Sequence, residues 1–565
     1  MNHIITIFDD HFLTVFIVLT ILGGLQMLHW IKKSSGFING LIFTFILFLL
    51  QAFTFPIVFP IIGVTSVILL LLRFRRIEFF KKRRKRKIPT KKRRTDSIYL
   101  ESNQGTIEIG NIYRGTMVQG GAGSGKSKSL FYPIIKQTIQ NDFAGILYDF
   151  KSPELSELAY SYHTGNQKTK FAFLNFKDFK TSIRVNPLAP RYLTKQAIAF
   201  EVATVLINNL LPESIKKKDY WTRSSISIVA GAIWYLRKNY PEYCTIPHLI
   251  AFILDFTSPS LIEIISSDVE TAGMISSLKE AYEMKSEKQI AGVIGTVKNA
   301  MAQLNIPEVF YLISKDDFDL QINSPNNPTF LAIGNDSTLA DTFAPIISLI
   351  ISVCLRQMNQ PNRHKSAIIL DEAPTLYIPN FEQIPATARS NKIATYYGLQ
   401  DYSQMVDKYG TDKAQVMISN LGNQFYGRTV NEKSAKMIIN LFGKHDQRYR
   451  TVSQSSGSSS GGFFSSNSSS SSNNSESVSV QQRDRIKISE ITGMAAGTFY
   501  GVIAEGVQTE LLSTQLKETK TTIRKIENIN HGNPNDNFRL IHTEVKNITS
   551  LYETETNEND YKIKL

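Results

Sequence analysis

Cysteine is scarce in this sequence, and its histidines lack the spacing of metal ligands. Cys244 and Cys354 are the two cysteines among 565 residues, and they lie far apart in the chain. The nine histidines form no pair with the spacing of a zinc site. These absences argue against a disulfide-stabilised scaffold and against a small zinc domain. We predict that both thiols are reduced and buried in the core.

Charged residues are missing from two long stretches near the amino terminus. Residues 12–30 carry no Asp, Glu, Lys or Arg, and residues 37–72 again carry none, a run of 36 positions. A helix needs about 20 apolar residues to cross a bilayer, so the first stretch corresponds to one span and the second is too long for one. Pro56 and Pro60 lie near the middle of the second stretch, where a turn would divide it into two short helices.

We therefore predict a transmembrane anchor over residues 1–76 with three spans, and two spans are the alternative. With three spans, Lys32, Lys33 and the basic segment after the last span all lie on one side of the membrane, whereas with two spans they do not. The positive-inside rule makes that side cytoplasmic and leaves the amino terminus outside. A cleaved signal peptide is disfavoured, because no small-residue cleavage site follows Trp30 and further spans do follow.

The net positive charge of the chain is concentrated in one segment. Residues 73–94 contain fourteen Lys or Arg and one Glu, a net charge of +13 against +14 for the whole chain. Since the remainder is nearly neutral, the overall basicity is weak evidence for DNA binding. We interpret the basic segment 73–94, most of which belongs to the predicted juxtamembrane linker 77–100, as a membrane stop that contacts acidic lipid headgroups. The alternative is direct contact with nucleic-acid phosphates.

The sequence GGAGSGKS, residues 120–127, fits the phosphate-loop pattern G-x-x-x-x-G-K-[ST]. An apolar strand pattern precedes it and a helical pattern follows it. Glycines let backbone N–H groups close around the α- and β-phosphates at a helix start that favours anions. In ATP, Lys126 would reach the β- and γ-phosphates, and Ser127 would ligate Mg²⁺. The predicted nucleotide-binding residues are Gly120, Gly121, Ala122, Gly123, Ser124, Gly125, Lys126, Ser127 and Lys128.

An acidic pair follows a second apolar run. Residues 367–370 are typical of a central parallel strand, and Asp371 and Glu372 come directly after them. We predict that Asp371 holds Mg²⁺ and that Glu372 polarises the attacking water. Two acids after a strand are common, so this prediction depends on the phosphate loop, whose Ser127 lies 244 positions earlier.

Three further polar residues are candidates for catalysis. Gln400 ends the strand pattern KIATYYGLQ, from where its amide would sense the γ-phosphate. Arg389 precedes that strand, and Arg428 follows the segment NQFYG. Each arginine is a candidate to contact a phosphate, including one in a neighbouring subunit as an arginine finger. The alternative for each is a surface residue paired with a carboxylate.

The distance between the two nucleotide motifs predicts an inserted domain. Residues 194–313 carry apolar residues at spacings of three and four, which indicates helices, and strand patterns return with TFLAIGN.

The Ser-rich stretch, residues 452–479, is too polar to form a core and is predicted to be flexible, with partner docking as the alternative. The tail would dock on the core or recognise cargo. The predicted organisation is a nucleotide-binding domain at 101–193 and 316–508, an all-α domain at 194–315, a Ser-rich flexible loop at 452–479 and a polar tail at 509–565.

The order of these motifs resembles that of the TraG/TraD-type coupling proteins of bacterial conjugation and type IV secretion, and the mobilisation-type subgroup is the most similar. The resemblance runs from the amino terminus to about Gly506. Many members have D-P-K-G-E where this chain has DFKSPE at residues 149–154, which leaves the role of Lys151 open. After the membrane spans, the motifs are GAGSGKS, YDFKSPELSELA, RVNPL, IILDEAPTL and GLQDYSQMVDKYG.

The resemblance implies an α/β fold, a RecA-like P-loop NTPase core with an inserted all-α domain behind a transmembrane anchor. It also implies a homo-hexameric ATPase of the bacterial inner membrane, with most of the chain in the cytoplasm. The implied partners are a relaxase–DNA complex and the secretion channel. We predict that the DNA is single-stranded, although its strandedness inside the motor stays open, and the basic segment adds membrane lipids as a partner.

Two other functions stay open. One is a nucleotide-switched membrane scaffold for protein cargo, which would not need a water-polarising base such as Glu372. The other is an FtsK-like DNA translocase, for which the polar tail is short, since it leaves little room for a winged-helix domain.

Overall fold

Nine strands form one mixed sheet in the computed structural model, which describes residues 94–217, 219–458, 470–505 and 510–563. Two hairpins lie outside this sheet: β1 (Ile98–Ser102) with β2 (Gly105–Ile109), and β10 (Lys444–Ser458) with β11 (Ser470–Asp484). The strands of the sheet are β3 (Thr116–Gln119), β4 (Ala144–Asp149), β5 (Lys170–Asn175), β6 (Thr329–Gly334), β7 (Ser366–Leu370), β8 (Ile393–Leu399), β9 (Asn423–Tyr426), β12 (Thr498–Val502) and β13 (Glu510–Gln515).

The sheet is parallel except at one strand near its edge. Its order is β13-β12-β9-β3-β8-β7-β4-β6-β5, and the seven strands from β9 to β5 are parallel. β12 runs antiparallel to both β9 and β13. All seven parallel strands therefore end at the same edge of the sheet, which we call the carboxyl edge. The opposite edge is the amino edge.

The central strands are apolar along their whole length because both faces of the sheet are covered. Consecutive residues alternate between two hydrophobic clusters. Ile368 belongs to the first cluster and Ile369 to the second, and Tyr397 and Tyr396 divide in the same way. This alternation follows from the two-residue period of a strand.

Helices surround the sheet on both faces. The second cluster contains residues of the β1–β2 hairpin and of the first two helices, α1 (Tyr132–Gln140) and α2 (Glu154–Tyr162). The helices that follow the insertion are α12 (Ala340–Met358), α13 (Ile384–Ala388), α14 (Tyr402–Tyr409), α15 (Thr411–Asn420), α16 (Glu432–Phe442), α17 (Ile488–Thr492) and α18 (Pro534–Ile563).

The insertion between the two halves of the sheet is helical. Its hydrophobic core is continuous with the first cluster, because α12 packs against its first helix. Cys244 and Cys354 also belong to this cluster, and both are free and buried. The insertion consists of α3 (Gln196–Leu210), α4 (Glu213–Lys216), α5 (Tyr220–Asn239), α6 (Ile246–Asp255), α7 (Ser258–Ser266), α8 (Val269–Met274), α9 (Ser276–Glu283), α10 (Glu287–Ala302) and α11 (Pro307–Ile313).

The structure corrects three of the predicted boundaries. β1 begins at Ile98, inside the predicted linker 77–100, and β13 adds a strand to the sheet beyond residue 508. Most of the stretch 452–479, predicted to be a flexible loop, pairs in the β10–β11 hairpin, while residues 459–469 lie outside the described ranges. Backbone hydrogen bonds alone make such pairing possible, which is why a polar composition did not reveal it.

The carboxy-terminal helix docks on the insertion. α18 packs against α6 and α11, and the rings of Phe538 and Phe310 lie 4.8 Å apart. His542 Nδ1 lies 2.9 Å from Asp255 Oδ2 on α6. The described part of the tail is therefore attached to the protein at this site, which is one of the two arrangements expected from sequence.

The predicted transmembrane anchor, residues 1–76, lies outside the described ranges. Among the described residues, one helix, α12, is long and apolar enough to span a bilayer. Most of α12 is buried inside the protein, where it belongs to the first hydrophobic cluster. The number of membrane spans thus stays a prediction.

We predict that Gly145→Ala destabilises the sheet. Gly145 on β4 has φ of +150°, and an added Cβ would collide with the backbone of Ala367 on the neighbouring strand β7. A sheet backbone cannot move aside cheaply, so we expect a loss of about 3 kcal/mol or more. The measurement is thermal unfolding of the full-length chain in detergent. Gly295→Ala on α10, where an added Cβ meets open space, is the matched control and should be neutral or stabilising. Equal melting temperatures for the two variants would contradict the prediction.

Candidate functional site

The phosphate loop connects β3 to a helix at the carboxyl edge of the sheet. Residues 120–126 form the loop, and a π-helical turn at Ser127–Phe131 leads into α1. Gly123 and Gly125 have φ of +75° and +87°, which residues with a Cβ rarely adopt. At Gly125, an added Cβ would also lie 2.5 Å from the backbone nitrogen of Gly497. The glycines therefore permit a loop whose backbone N–H groups can surround an anion.

Neighbouring segments hold this loop on both sides. The backbone nitrogen of Gly120 donates to Leu399 at 3.1 Å, and that of Gly121 donates to the carbonyl of Arg428 at 2.9 Å. On the other side, Gly497 N–H donates to the Ser124 carbonyl at 2.8 Å. Three segments from the second half of the chain thus stabilise the loop before any ligand binds.

Lys126 lies between the two predicted acids. Its Nζ is 2.6 Å from Glu372 Oε1 and 3.8 Å from Asp371 Oδ1. All three residues are 7% exposed. β3 and β7 end at the same edge with only β8 between them, so the parallel sheet brings these distant residues together. The predicted juxtaposition of the phosphate loop with Asp371 and Glu372 is present.

The backbone of Glu372 is strained in a way that sequence patterns do not reveal. Its φ is +51°, the left-handed region, which is costly for a residue with a side chain. A hydrogen-bonded chain supports the turn: Asn335 donates to Tyr148 Oη, which lies 2.9 Å from Thr375 Oγ1, and Thr375 donates to the Glu372 carbonyl. This network, which sequence analysis missed, keeps the acidic turn in one conformation.

Burial disfavours the ionised form of two carboxyl groups at the carboxyl edge, Asp371 and Asp149. Burial raises the pKa of Asp371 to about 7, and Lys126 opposes this shift while Glu372 adds to it. Burial also raises the pKa of Asp149 to about 6. Asp371 Oδ1 is buried and has no hydrogen-bond donor. A carboxylate oxygen without a donor is a suitable ligand for Mg²⁺, so the donor set fits the predicted metal, together with the Ser127 hydroxyl and water.

Asp149 ends β4 at the same edge but has a structural partner. Its Oδ2 accepts hydrogen bonds from the backbone nitrogen and the hydroxyl of Ser156, at 2.8 and 2.9 Å. Asp149 thereby orients α2, while its Oδ1 has no hydrogen-bond donor. Lys151, whose role sequence left open, is exposed.

Gln400 and Arg428 lie beside the phosphate loop, whereas Arg389 does not. Gln400 directly follows Leu399, the residue whose carbonyl accepts from Gly120. Arg428 follows β9, the neighbour of β3, and its side chain is exposed, as is that of Lys128.

Arg389 lies at the amino edge, with its Nη2 3.7 Å from Glu505, the residue that also pairs with Arg114. The expectation that Arg389 reaches a phosphate is wrong within one subunit. The reason is that it precedes β8, and the parallel strands begin at the edge opposite the phosphate loop.

Sequence analysis also missed the contribution of residues 493–498 to the loop. Gly497 closes against Gly125 and Ser124; its φ of +81° is one that residues with a Cβ rarely adopt, and an added Cβ would lie 3.1 Å from the Leu516 carbonyl oxygen. The available signal was the small-residue run GMAAGT, which permits close backbone approach but does not identify the partner.

The sequence also matches known proteins. The family described as type IV secretory system conjugative DNA transfer matches residues 78–499, most of the chain. The chain belongs to this family. Membership confirms the predicted resemblance to coupling proteins of the TraG/TraD type.

One curated protein and several solved structures are similar to the chain. Coupling protein TraD of Escherichia coli (strain K12) is 22% identical over 255 residues, 44% of this chain and 35% of TraD. The match thus spans about a third of the length of that relative.

The likeness in structure extends further along the chain. Plasmid coupling protein TrwB in complex with ADP and Mg²⁺ has a TM-score of 0.55 at 14% identity, over 74% of this chain and 89% of that one. The unbound TrwB fragment has a TM-score of 0.53 at 13% identity, over 78% and 91%. At these identities the likeness concerns the fold, a RecA-like P-loop α/β fold.

We predict that Lys126→Met weakens nucleotide binding strongly and preserves the fold. Methionine retains the apolar stem of lysine but loses a charged donor worth about 3 kcal/mol, or about 100-fold in affinity. The measurement is the rise in melting temperature that Mg–ATP produces in the full-length chain. Lys128→Met removes the same charge two positions away, where the side chain is exposed, and should keep most of that rise. An unchanged ATP response in Lys126→Met would contradict the prediction.

Proposed function

We propose that this chain is a membrane-anchored ATPase that couples a relaxase–DNA complex to a type IV secretion channel and drives DNA during conjugative transfer. The observation that carries the proposal is the contact of Lys126 with Asp371 and Glu372 beside the phosphate loop. Membership of the conjugative DNA transfer family supports the assignment of the cargo as DNA. The related coupling proteins TraD and TrwB support the coupling role.

ATP and Mg²⁺ are the proposed ligands of the site. Structures of TrwB in complex with ADP and Mg²⁺ and with a non-hydrolysable ATP analogue support this choice. Asp371 and Ser127 would hold Mg²⁺, and the bound metal would neutralise charge on the phosphates. The backbone N–H groups of residues 120–127 would orient the phosphates.

Nucleotide binding would change the partner of Lys126. In the described site its ammonium group contacts Glu372 at 2.6 Å. Phosphate oxygens would compete for that ammonium group and release the Glu372 carboxylate. The released carboxylate is then free to accept a proton from the attacking water, with Gln400 beside the loop to sense the γ-phosphate. The base would thus become available only when nucleotide is present.

The sequence also supports proposals for the location and the assembly of the ATPase. We propose that residues 1–76 anchor the chain in the inner membrane, that the basic segment 73–94 contacts acidic lipid headgroups, and that the remainder is cytoplasmic. We further propose a homo-hexamer in which the exposed Arg428, next to the phosphate loop, acts on nucleotide bound by a neighbour.

We predict that Glu372→Gln stops ATP hydrolysis but not ATP binding. The amide keeps the shape of the side chain and cannot accept the proton, so hydrolysis should fall by about 100-fold or more. ATP turnover with single-stranded DNA and conjugative transfer in cells are the measurements. Glu308→Gln, an exposed position on α11, is the control and should be unaffected. Transfer at the normal level with Glu372→Gln would reject the motor and favour the nucleotide-switched scaffold.

Substitutions of Arg428 and Arg389 should have different effects on ATP hydrolysis in the same assays. Because Arg428 is exposed beside the phosphate loop, Arg428→Ala should lower hydrolysis by the assembled protein by about 1,000-fold, the effect of losing an arginine finger. Arg389→Ala should leave hydrolysis near its normal rate, since Arg389 lies at the amino edge beside Glu505. The reverse order of effects would contradict the assignment of Arg428.

A further inference from the structure

A basic cavity of about 620 Å³ opens at the amino edge, the side of the sheet opposite the nucleotide site. Lys365 directly precedes β7 and Lys392 directly precedes β8, and both line the cavity. Their backbones are held by the sheet, because the Lys365 carbonyl accepts from Ala144 and the Lys392 carbonyl accepts from Ser366, each at 3.1 Å. We call this cavity the amino-edge pocket.

The charges of the amino-edge pocket are unbalanced. Arg94, Arg363, Lys365 and Lys392 line it, and Asp96 is its one acidic lining residue. Arg94 already binds Asp96 through two hydrogen bonds of 3.0 Å, from Nε and Nη2. In the described part of the chain, Arg363, Lys365 and Lys392 have no carboxylate within ion-pair distance. Asp142 lies near enough to favour the charged form of Lys365 without forming an ion pair with it. Three cations therefore share one cavity without a direct ion-pair partner.

Partial burial makes this imbalance costly. Burial lowers the pKa of Lys365, whose Nζ lies 4.7 Å from the centre of the Phe143 ring. Burial also raises the pKa of Tyr113 to about 12, so its phenol remains a neutral hydrogen-bond donor in the same pocket. Cations and a phenol lining one cavity match the oxygens of a phosphate ester, and an anion bound there would offset the cost of burying Lys365.

We propose that the amino-edge pocket binds a phosphate ester, and that its ligand is the headgroup of an acidic phospholipid. The volume suits a headgroup, since small-molecule sites occupy about 300–1,000 Å³. Arg94, which lines the pocket, is also the last residue of the basic segment 73–94. The choice of lipid rests on the proposed function, in which that segment lies against acidic headgroups.

The test uses the full-length chain in neutral detergent. The probe is dioctanoyl phosphatidylglycerol, a short-chain acidic lipid, compared with dioctanoyl phosphatidylcholine, inorganic phosphate and a short single-stranded oligonucleotide. Backbone hydrogen–deuterium exchange at residues 361–366 and 390–393 is the readout, because the basic segment 73–93 also attracts anions but lies elsewhere in the sequence.

We expect phosphatidylglycerol to slow exchange at both segments and phosphatidylcholine to have no effect. The variant Lys365→Gln/Lys392→Gln should weaken this binding by about tenfold or more, since each lysine near an anionic lipid contributes measurably. The matched control is Lys285→Gln/Lys288→Gln. It removes two charges from exposed positions on the insertion, and Lys285 has φ of +56° against +55° for Lys392.

Three results would overturn the proposal. Equal protection by inorganic phosphate at the same concentration would indicate a site for free phosphate and reject the lipid. Stronger protection by the oligonucleotide would assign the pocket to DNA. No protection by any probe, or equal loss in the matched control, would reject the site.

ATP hydrolysis by the same samples separates this inference from the proposed function. Normal hydrolysis without protection by lipid would reject the amino-edge pocket alone. Protection by lipid without any DNA-stimulated hydrolysis would reject the motor and keep the pocket.

Discussion

The functional site depends on one interaction, the ion pair of Lys126 with Glu372 across the carboxyl edge of the sheet. The two residues are buried and belong to segments separated by the whole insertion, yet their charged atoms are 2.6 Å apart. Buried charges are tolerated only when paired, so this contact constrains the phosphate loop and the acidic turn together. In the proposed mechanism, the same contact keeps the ammonium group in position for a phosphate and keeps the carboxylate of Glu372 paired until nucleotide binds.

The rest of the fold can be understood as the support for that contact. A parallel sheet places strand ends at one edge, and two hydrophobic clusters cover its faces, so the sheet cannot bend without exposing apolar side chains. The carbonyls of Leu399 and Arg428 hold the start of the loop, and Gly497 holds its middle. All three come from after the acidic turn. The nucleotide site is therefore complete only when the chain beyond the insertion has folded.

The two edges of the sheet have different chemistry for a topological reason. The carboxyl edge carries acids, amides and the phosphate loop, whereas the amino edge carries Lys365, Lys392, Arg114 and Arg389. A residue that precedes a parallel strand and one that follows it can be close in sequence and still lie at opposite edges. Arg389 and Gln400 illustrate this, since β8 is the segment between them. A nucleotide bound at one edge and an anion bound at the other would both act on the same rigid strands.

Local sequence by itself determined the elements whose chemistry is contiguous. The glycines and Lys126 of the loop, the apolar strand before Asp371 and the helical period of the insertion are each encoded within a few residues, because backbone freedom, side-chain type and periodicity are local properties. The family resemblance was also readable from the order of such motifs.

Only the tertiary structure decided which distant segments meet. Sequence did not reveal the contact of Gly497 with the phosphate loop, the left-handed backbone of Glu372, the edge at which Arg389 lies or the pairing of the Ser-rich strands. The Gly497 contact and the edge at which Arg389 lies depend on strand order and strand direction. The Glu372 turn depends on side chains from several strands, and the Ser-rich pairing depends on backbone hydrogen bonds that a polar composition does not reveal. A single sequence records residue types along the chain, whereas close approach in space results from packing of the whole sheet.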